Sequence, residues 1–175
     1  MKTRLFLLLL LAGSCLQAPA QRKSLSLGLL LGSPLRQSGF SGGLSLEGYR
    51  ATRLGGAFSL GASALRLSEG GFKGSDHTTL LALQLGFRQG LGPFYLHPRL
   101  GIGAMNGRFD IGGDWARPSV AAFFGTLEGG YRPGRFHLGA FVQWARGIEG
   151  PKAGTWHNRS LPLAGLRLGY TIAGR

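Results

Sequence analysis

The sequence has little cysteine, little lysine and little acid. Its 175 residues hold one Cys, four Lys and seven Asp+Glu. A single Cys excludes a disulfide scaffold and a site built from several cysteine ligands. The arginines that make up the rest of the 20 basic residues are spaced by Leu, Gly, Ala and Phe and form no run, so the net charge of +13 does not read as a nucleic-acid footprint. Disorder is excluded by a hydrophobic share of 43% and an aromatic share of 10%. The 32 glycines do not recur at every third position, which excludes collagen. After residue 20 no apolar stretch reaches the roughly 18 residues of a membrane-crossing helix. No cofactor fingerprint and no metal-ligand spacing is present, so neither a cofactor nor a metal is expected.

What is present begins with an export address. Lys2 and Arg4 precede the apolar run Leu5–Ala12, and the small-residue pattern Ala18-Pro19-Ala20 precedes Gln21. This is the layout of a secretory signal, and cleavage is expected after Ala20. Two segments follow: 1–20 as signal peptide and 21–175 as one domain. Cys15 offers a rival lipoprotein signal, but the Leu that should precede it stands one position too far away. With cleavage after Ala20 the mature chain has no Cys, which suits an oxidising compartment.

The rest of the chain carries a period-2 pattern in eight segments: Ser24–Gly32, Phe40–Arg50, Gly56–Leu67, His77–Arg88, Phe94–Met105, Ser119–Tyr131, Phe136–Arg146 and Ser160–Ile172. Each is longer than an ordinary globular strand of about 5–6 residues and matches the roughly 9–11 of a membrane-crossing strand. The intervening stretches alternate long (33–39, 68–76, 106–118, 147–159) and short (51–55, 89–93, 132–135). Outer-membrane barrels alternate in this way, with long loops outside and short turns on the periplasmic side. In most segments one face is large and apolar, as in Phe94, Leu96, Pro98, Leu100 and Ile102. The other is small or polar, as in Tyr95, His97, Arg99, Gly101 and Gly103. A water-soluble barrel of the lipocalin kind inverts this arrangement. The pattern therefore predicts an all-β, eight-stranded, antiparallel up-and-down transmembrane β-barrel.

Three sets of side chains stand out. Phe87, Phe94, Tyr131, Phe136 and Tyr170 lie on the outward parity beside short turns or the C-terminus and predict an inner aromatic girdle. Glu47, Arg88, Arg99, Glu128 and Arg167 lie on the inward parity and predict a lumen charge network, since a desolvated charge must find a partner. Phe109, Trp115 and Trp156 lie in the longest stretches beside charges and are loop binding candidates. Three positions disturb the pattern: Leu30 breaks the alternation, Arg66 falls on the apolar parity, and Tyr49 shares parity with inward Glu47.

Segments such as Gly92–Gly103 and Leu166–Ile172 give the chain its likeness to a family. Residues 21–175 resemble the small eight-stranded outer-membrane β-barrels of Gram-negative bacteria, the group that includes the membrane domain of outer-membrane protein A. One departure is that the chain runs past Tyr170 and Ile172 to Ala173-Gly174-Arg175, whereas such barrels usually end on an aromatic. The resemblance implies insertion by the barrel-assembly machinery, contact with outer-membrane lipid and lipopolysaccharide, and a host-surface or periplasmic protein partner, with a monomeric chain. It implies a structural, adhesion or partner-binding role, and leaves secretion accessory and lipid A modification as alternatives. For the enzyme reading, the nearest material is His157 and Ser160 with Glu149. Their surroundings do not match the deacylase pattern, and no enzymatic activity is expected. Seven basic residues (Arg22, Lys23, Arg50, Arg53, Arg132, Arg135, Arg175) are expected as a collar at the periplasmic rim, facing phospholipid headgroups or an acidic partner.

Overall fold

Alternation is the rule that builds the molecule. The computed structural model describes residues 23–36, 38–52, 56–69, 77–111, 114–116, 119–148 and 160–174. The expected signal peptide, its cleavage site and Cys15 lie outside them. The described residues form nine strands: β1 (Lys23–Pro34), β2 (Gly39–Ala51), β3 (Gly56–Glu69), β4 (His77–Leu91), β5 (Phe94–Ile111), β6 (Asp114–Ala116), β7 (Ser119–Tyr131), β8 (Phe136–Gly147) and β9 (Ser160–Gly174). No helix of the described residues is long and apolar enough to cross a membrane.

Every strand pairing is antiparallel, and the sheet closes. β1 pairs with both β2 and β9, and β4 with both β3 and β5, so the eight longer strands form a continuous up-and-down wall. Closure removes the exposed edges that an open sheet would present. The β4–β5 ladder is interrupted between Gly86↔Arg99 and Gln89↔Leu96, where Pro98 has no N–H to contribute. A bulge between Leu25 and Ser26 shifts the β1–β9 register. Gly92 and Gly134 turn the chain at the end that carries the termini, each with φ 65°, a conformation that costs little only for glycine.

The expected faces are present, with corrections at the far end. Outward side chains are large and apolar: Leu100 is 74% exposed, Leu85 66% and Ile102 60%. Arg66 is also exposed on this face, near the end opposite the termini, so the β3 phase does not slip. Leu30 and Tyr49 point inward and are buried. The lumen is not lined only by small and polar groups, as the sequence suggested. Leu30, Leu65, Leu67, Leu80, Met105 and Leu163 join Phe124 and Phe141 in a buried apolar cluster. These residues break the simple pattern because an inward position can be apolar wherever the interior is closed to water.

The connections also differ from expectation. β1 and β2 each run farther than the sequence pattern indicated, leaving only 35–38 between them. The stretch 106–118 is not one long loop: β5 continues to Ile111 and folds back onto β6, pairing Phe109↔Ala116 and Asp110↔Trp115.

Candidate functional site

Four strands each send one charge into the middle of the barrel. Glu47 comes from β2, Arg99 from β5, Glu128 from β7 and Arg167 from β9, all on the inward parity and at most 5% exposed. Arg99 donates through Nη1 to Glu47 Oε1, and through Nη2 to Glu128 Oε2 at 2.6 Å. Arg167 Nη1 is shared between Glu47 Oε1 at 2.9 Å and Glu128 Oε2 at 3.1 Å. The two remaining carboxylate oxygens accept phenolic protons: Tyr49 donates to Glu47 Oε2, and Tyr95 to Glu128 Oε1 at 2.6 Å. Every carboxylate oxygen in this ring thus has a donor, which is the condition for holding charge away from water.

Glycines make room for these long side chains. A Cβ on Gly28 would lie 2.6 Å from Arg167 Nε, and one on Gly169 would enter the His137 ring. Two buried histidines flank the network. His97 Nε2 lies 2.8 Å from Ser59 Oγ, and His137 Nε2 lies 3.1 Å from Ser26 Oγ. These Ser–His pairs are not hydrolytic arrangements. Their hydroxyl-bearing residues are 5% and 1% exposed, and neither His Nδ1 has a hydrogen-bond partner to orient the ring. Gln84 Nε2 donates to Thr126 Oγ1 at 2.9 Å.

Arg88 is not brought into this ring. Its guanidinium lies over the Tyr49 ring, 3.9 Å from the centroid, and 5.9 Å from that of Tyr95. Tyr49, Tyr95, His97 and His137 complete the interior; the alternation places them on the inward parity, but the charge network read from the sequence did not include them. Their inward parity was the available signal.

The five girdle positions fall at the end bearing the termini. Phe94 meets Tyr131 at 5.5 Å between centroids and Phe136 meets Tyr170 at 5.0 Å. Phe87 meets Phe58 at 5.2 Å, a partner the sequence reading missed. Phe109 and Trp115 lie in the β5–β6 hairpin, where only the backbone is described, and Trp156 lies outside the described residues, as do His157 and Glu149. Ser160 opens β9, and its hydroxyl accepts the Trp144 indole N–H. Of the seven collar cations, Lys23 and Arg135 are exposed and Arg50 and Arg132 half-buried, while Arg22, Arg53 and Arg175 are outside the described residues.

No protein-family model matches the chain, and no curated protein matches it in sequence. Solved structures do match in fold. The N-terminal β-barrel domain of Pseudomonas aeruginosa OprF superimposes with a TM-score of 0.67 at 15% identity, covering 87% of this chain and 100% of that one. Ail, the attachment invasion locus protein of Yersinia pestis, solved with the heparin analogue sucrose octasulfate, gives 0.59 at 15% identity over 87% and 99% of the two chains. The outer membrane enzyme PagL gives 0.55 at 15% identity over 84% and 99%. A shared wall thus carries proteins described as an attachment protein and as an enzyme, so the wall alone assigns no activity. The chain has the closed, eight-stranded, antiparallel up-and-down fold of the small outer-membrane β-barrels of the outer-membrane protein A type.

Proposed function

We propose that the chain is an integral outer-membrane barrel with a closed lumen that acts through its ends rather than its interior. In this reading residues 1–20 direct Sec-type export, the barrel-assembly machinery inserts residues 21–175, and the protein works as a monomer. One observation carries it: an apolar outer wall surrounds an interior filled by an ion-paired ring and an apolar cluster. Eight strands leave an interior that side chains can fill, and this one is filled at both levels. What remains for interaction is the outward belt, which suits lipid, and the two ends.

The end opposite the termini, with Phe109, Trp115 and Trp156 in its connections, is the surface for lipopolysaccharide, a host surface or a partner protein. The role is structural, adhesive or partner-binding. An enzymatic role at Ser160 is not favoured, because the sequence around it does not match the deacylase pattern; its hydroxyl accepts the Trp144 indole N–H. The test combines three readouts on one set of strains. Replacing 150–158 by a short Gly-Ser linker is expected to leave the barrel in the membrane fraction and abolish adherence to host cells or a partner. The purified barrel is expected to show no channel openings in a planar bilayer. Lipid A mass spectra of overexpressing cells are expected to match those of cells carrying Ser160→Ala. Channel openings, or a lipid A change that Ser160→Ala removes, would overturn this reading.

A further inference from the structure

The mouth at the end bearing the termini holds a cavity of about 470 Å³. Lys23, Arg88, Arg132 and Arg135 line it with Tyr49 and Tyr95, and among the described residues no acidic side chain is in the lining. The cations are graded from wet to dry: Lys23 and Arg135 are exposed, Arg132 is half-buried, and Arg88 is 8% exposed. Among the described residues Arg88 makes no ion pair with Glu47 or Glu128, whose carboxylates are bridged by Arg99 and Arg167 and capped by Tyr49 and Tyr95. Among the described residues the interior charge is three guanidiniums against two carboxylates, and the surplus rests on Arg88. A buried charge without a counter-ion is strongly disfavoured. The Tyr49 ring holds the Arg88 guanidinium in place without neutralising it. Burial first, and the nearby Arg88 charge second, keep Arg132 below the usual guanidinium range.

We propose that this mouth binds a multivalent oxyanion of the phosphate class, with Arg88 and Arg132 at the floor and Lys23 and Arg135 at the rim. Arginine presents a planar fork that matches phosphate oxygens, and two such forks on separate strand ends can grip one group from two sides. The Tyr49 and Tyr95 hydroxyls donate their protons to the glutamates, so recognition falls to the cations. The same chemistry fits a soluble phosphate compound and the phosphate of a lipid headgroup at the inner rim. The inference depends on the barrel geometry and is independent of what the far-end connections bind.

The test uses the full mature chain, folded in zwitterionic micelles and titrated calorimetrically with inorganic pyrophosphate. Saturable binding is expected, weakened about tenfold or more by Arg88→Gln and by the pair Arg132→Gln/Arg135→Gln, and suppressed near 1 M NaCl, where screening reaches about 3 Å. The Arg132→Gln/Arg135→Gln pair lies on a turn and keeps the test decisive if Arg88→Gln fails to fold. Arg36→Gln, near the opposite end, serves as the control expected to bind unchanged. A second arm compares nanodiscs of phosphatidylcholine with nanodiscs containing phosphatidylglycerol. Thermal stabilisation by phosphatidylglycerol that the same substitutions remove, without pyrophosphate binding, would assign the site to lipid headgroups. Binding in neither arm, or binding indifferent to these substitutions, would overturn the proposal.

Discussion

Glu128→Gln is the sharpest perturbation of the interior. The wild-type carboxylate is fully buried and takes three donors: Arg99 Nη2 at 2.6 Å, Arg167 Nη1 at 3.1 Å and the Tyr95 hydroxyl at 2.6 Å. The amide removes the charge and keeps the shape. Two guanidiniums then share Glu47 alone, and one of them becomes a buried, uncompensated cation. Breaking one partner of such a set costs about 3–5 kcal/mol. Arg167→Gln should cost a similar amount by exposing the converse imbalance. The double variant restores one Arg to one Glu, Arg99 with Glu47, so it should be less destabilised than the sum of the singles by about 1–3 kcal/mol. Urea unfolding in phosphatidylcholine vesicles, followed by tryptophan fluorescence, measures all three. Single-variant costs below about 1 kcal/mol, or strict additivity, would refute the shared-charge account of the ring.

Two further outcomes follow from the wall. Leu83, mid-strand on β4 and 60% exposed, should cost about 2–4 kcal/mol when changed to Arg in a bilayer, against about 0–1 kcal/mol for Tyr131→Arg at the rim; equal costs at both depths in vesicle unfolding would count against a hydrocarbon-facing belt. Gly169→Ala drives a Cβ into the His137 ring and should cost about 1–3 kcal/mol, and that increment should shrink in a His137→Ala background, a double cycle that would fail if the ring moves aside freely.

The wall was legible in the sequence because alternation is local. Phe94 to Gly103 states its two faces residue by residue, and Arg132-Pro133-Gly134-Arg135 marks its own reversal. Inward parity likewise brought Glu47, Arg99, Glu128 and Arg167 together as candidates. Their connectivity was not legible: Arg99 meets Glu47 across 52 positions and Arg167 meets it across 120, and strand tilt and stagger set which inward residues share a level. Arg88 shares the same parity yet stands apart, stacked on Tyr49 below the ring. The apolar layer was hidden for a related reason. Leu65, Leu80 and Leu163 look like lapses in alternation until closure of the sheet gives them one another as neighbours. The β5–β6 pairing was missed because Gly112-Gly113 between two stretches of only three or four residues reads as loop.

The most direct test of the central claim is where the folded chain resides. Cells expressing it should be fractionated, and the outer-membrane and soluble periplasmic fractions run on SDS gels with and without boiling. The account predicts a band in the outer membrane whose mobility shifts on boiling, because the closed wall resists the detergent until heated. A protein recovered free in the periplasm, with the same mobility boiled and unboiled, would contradict it.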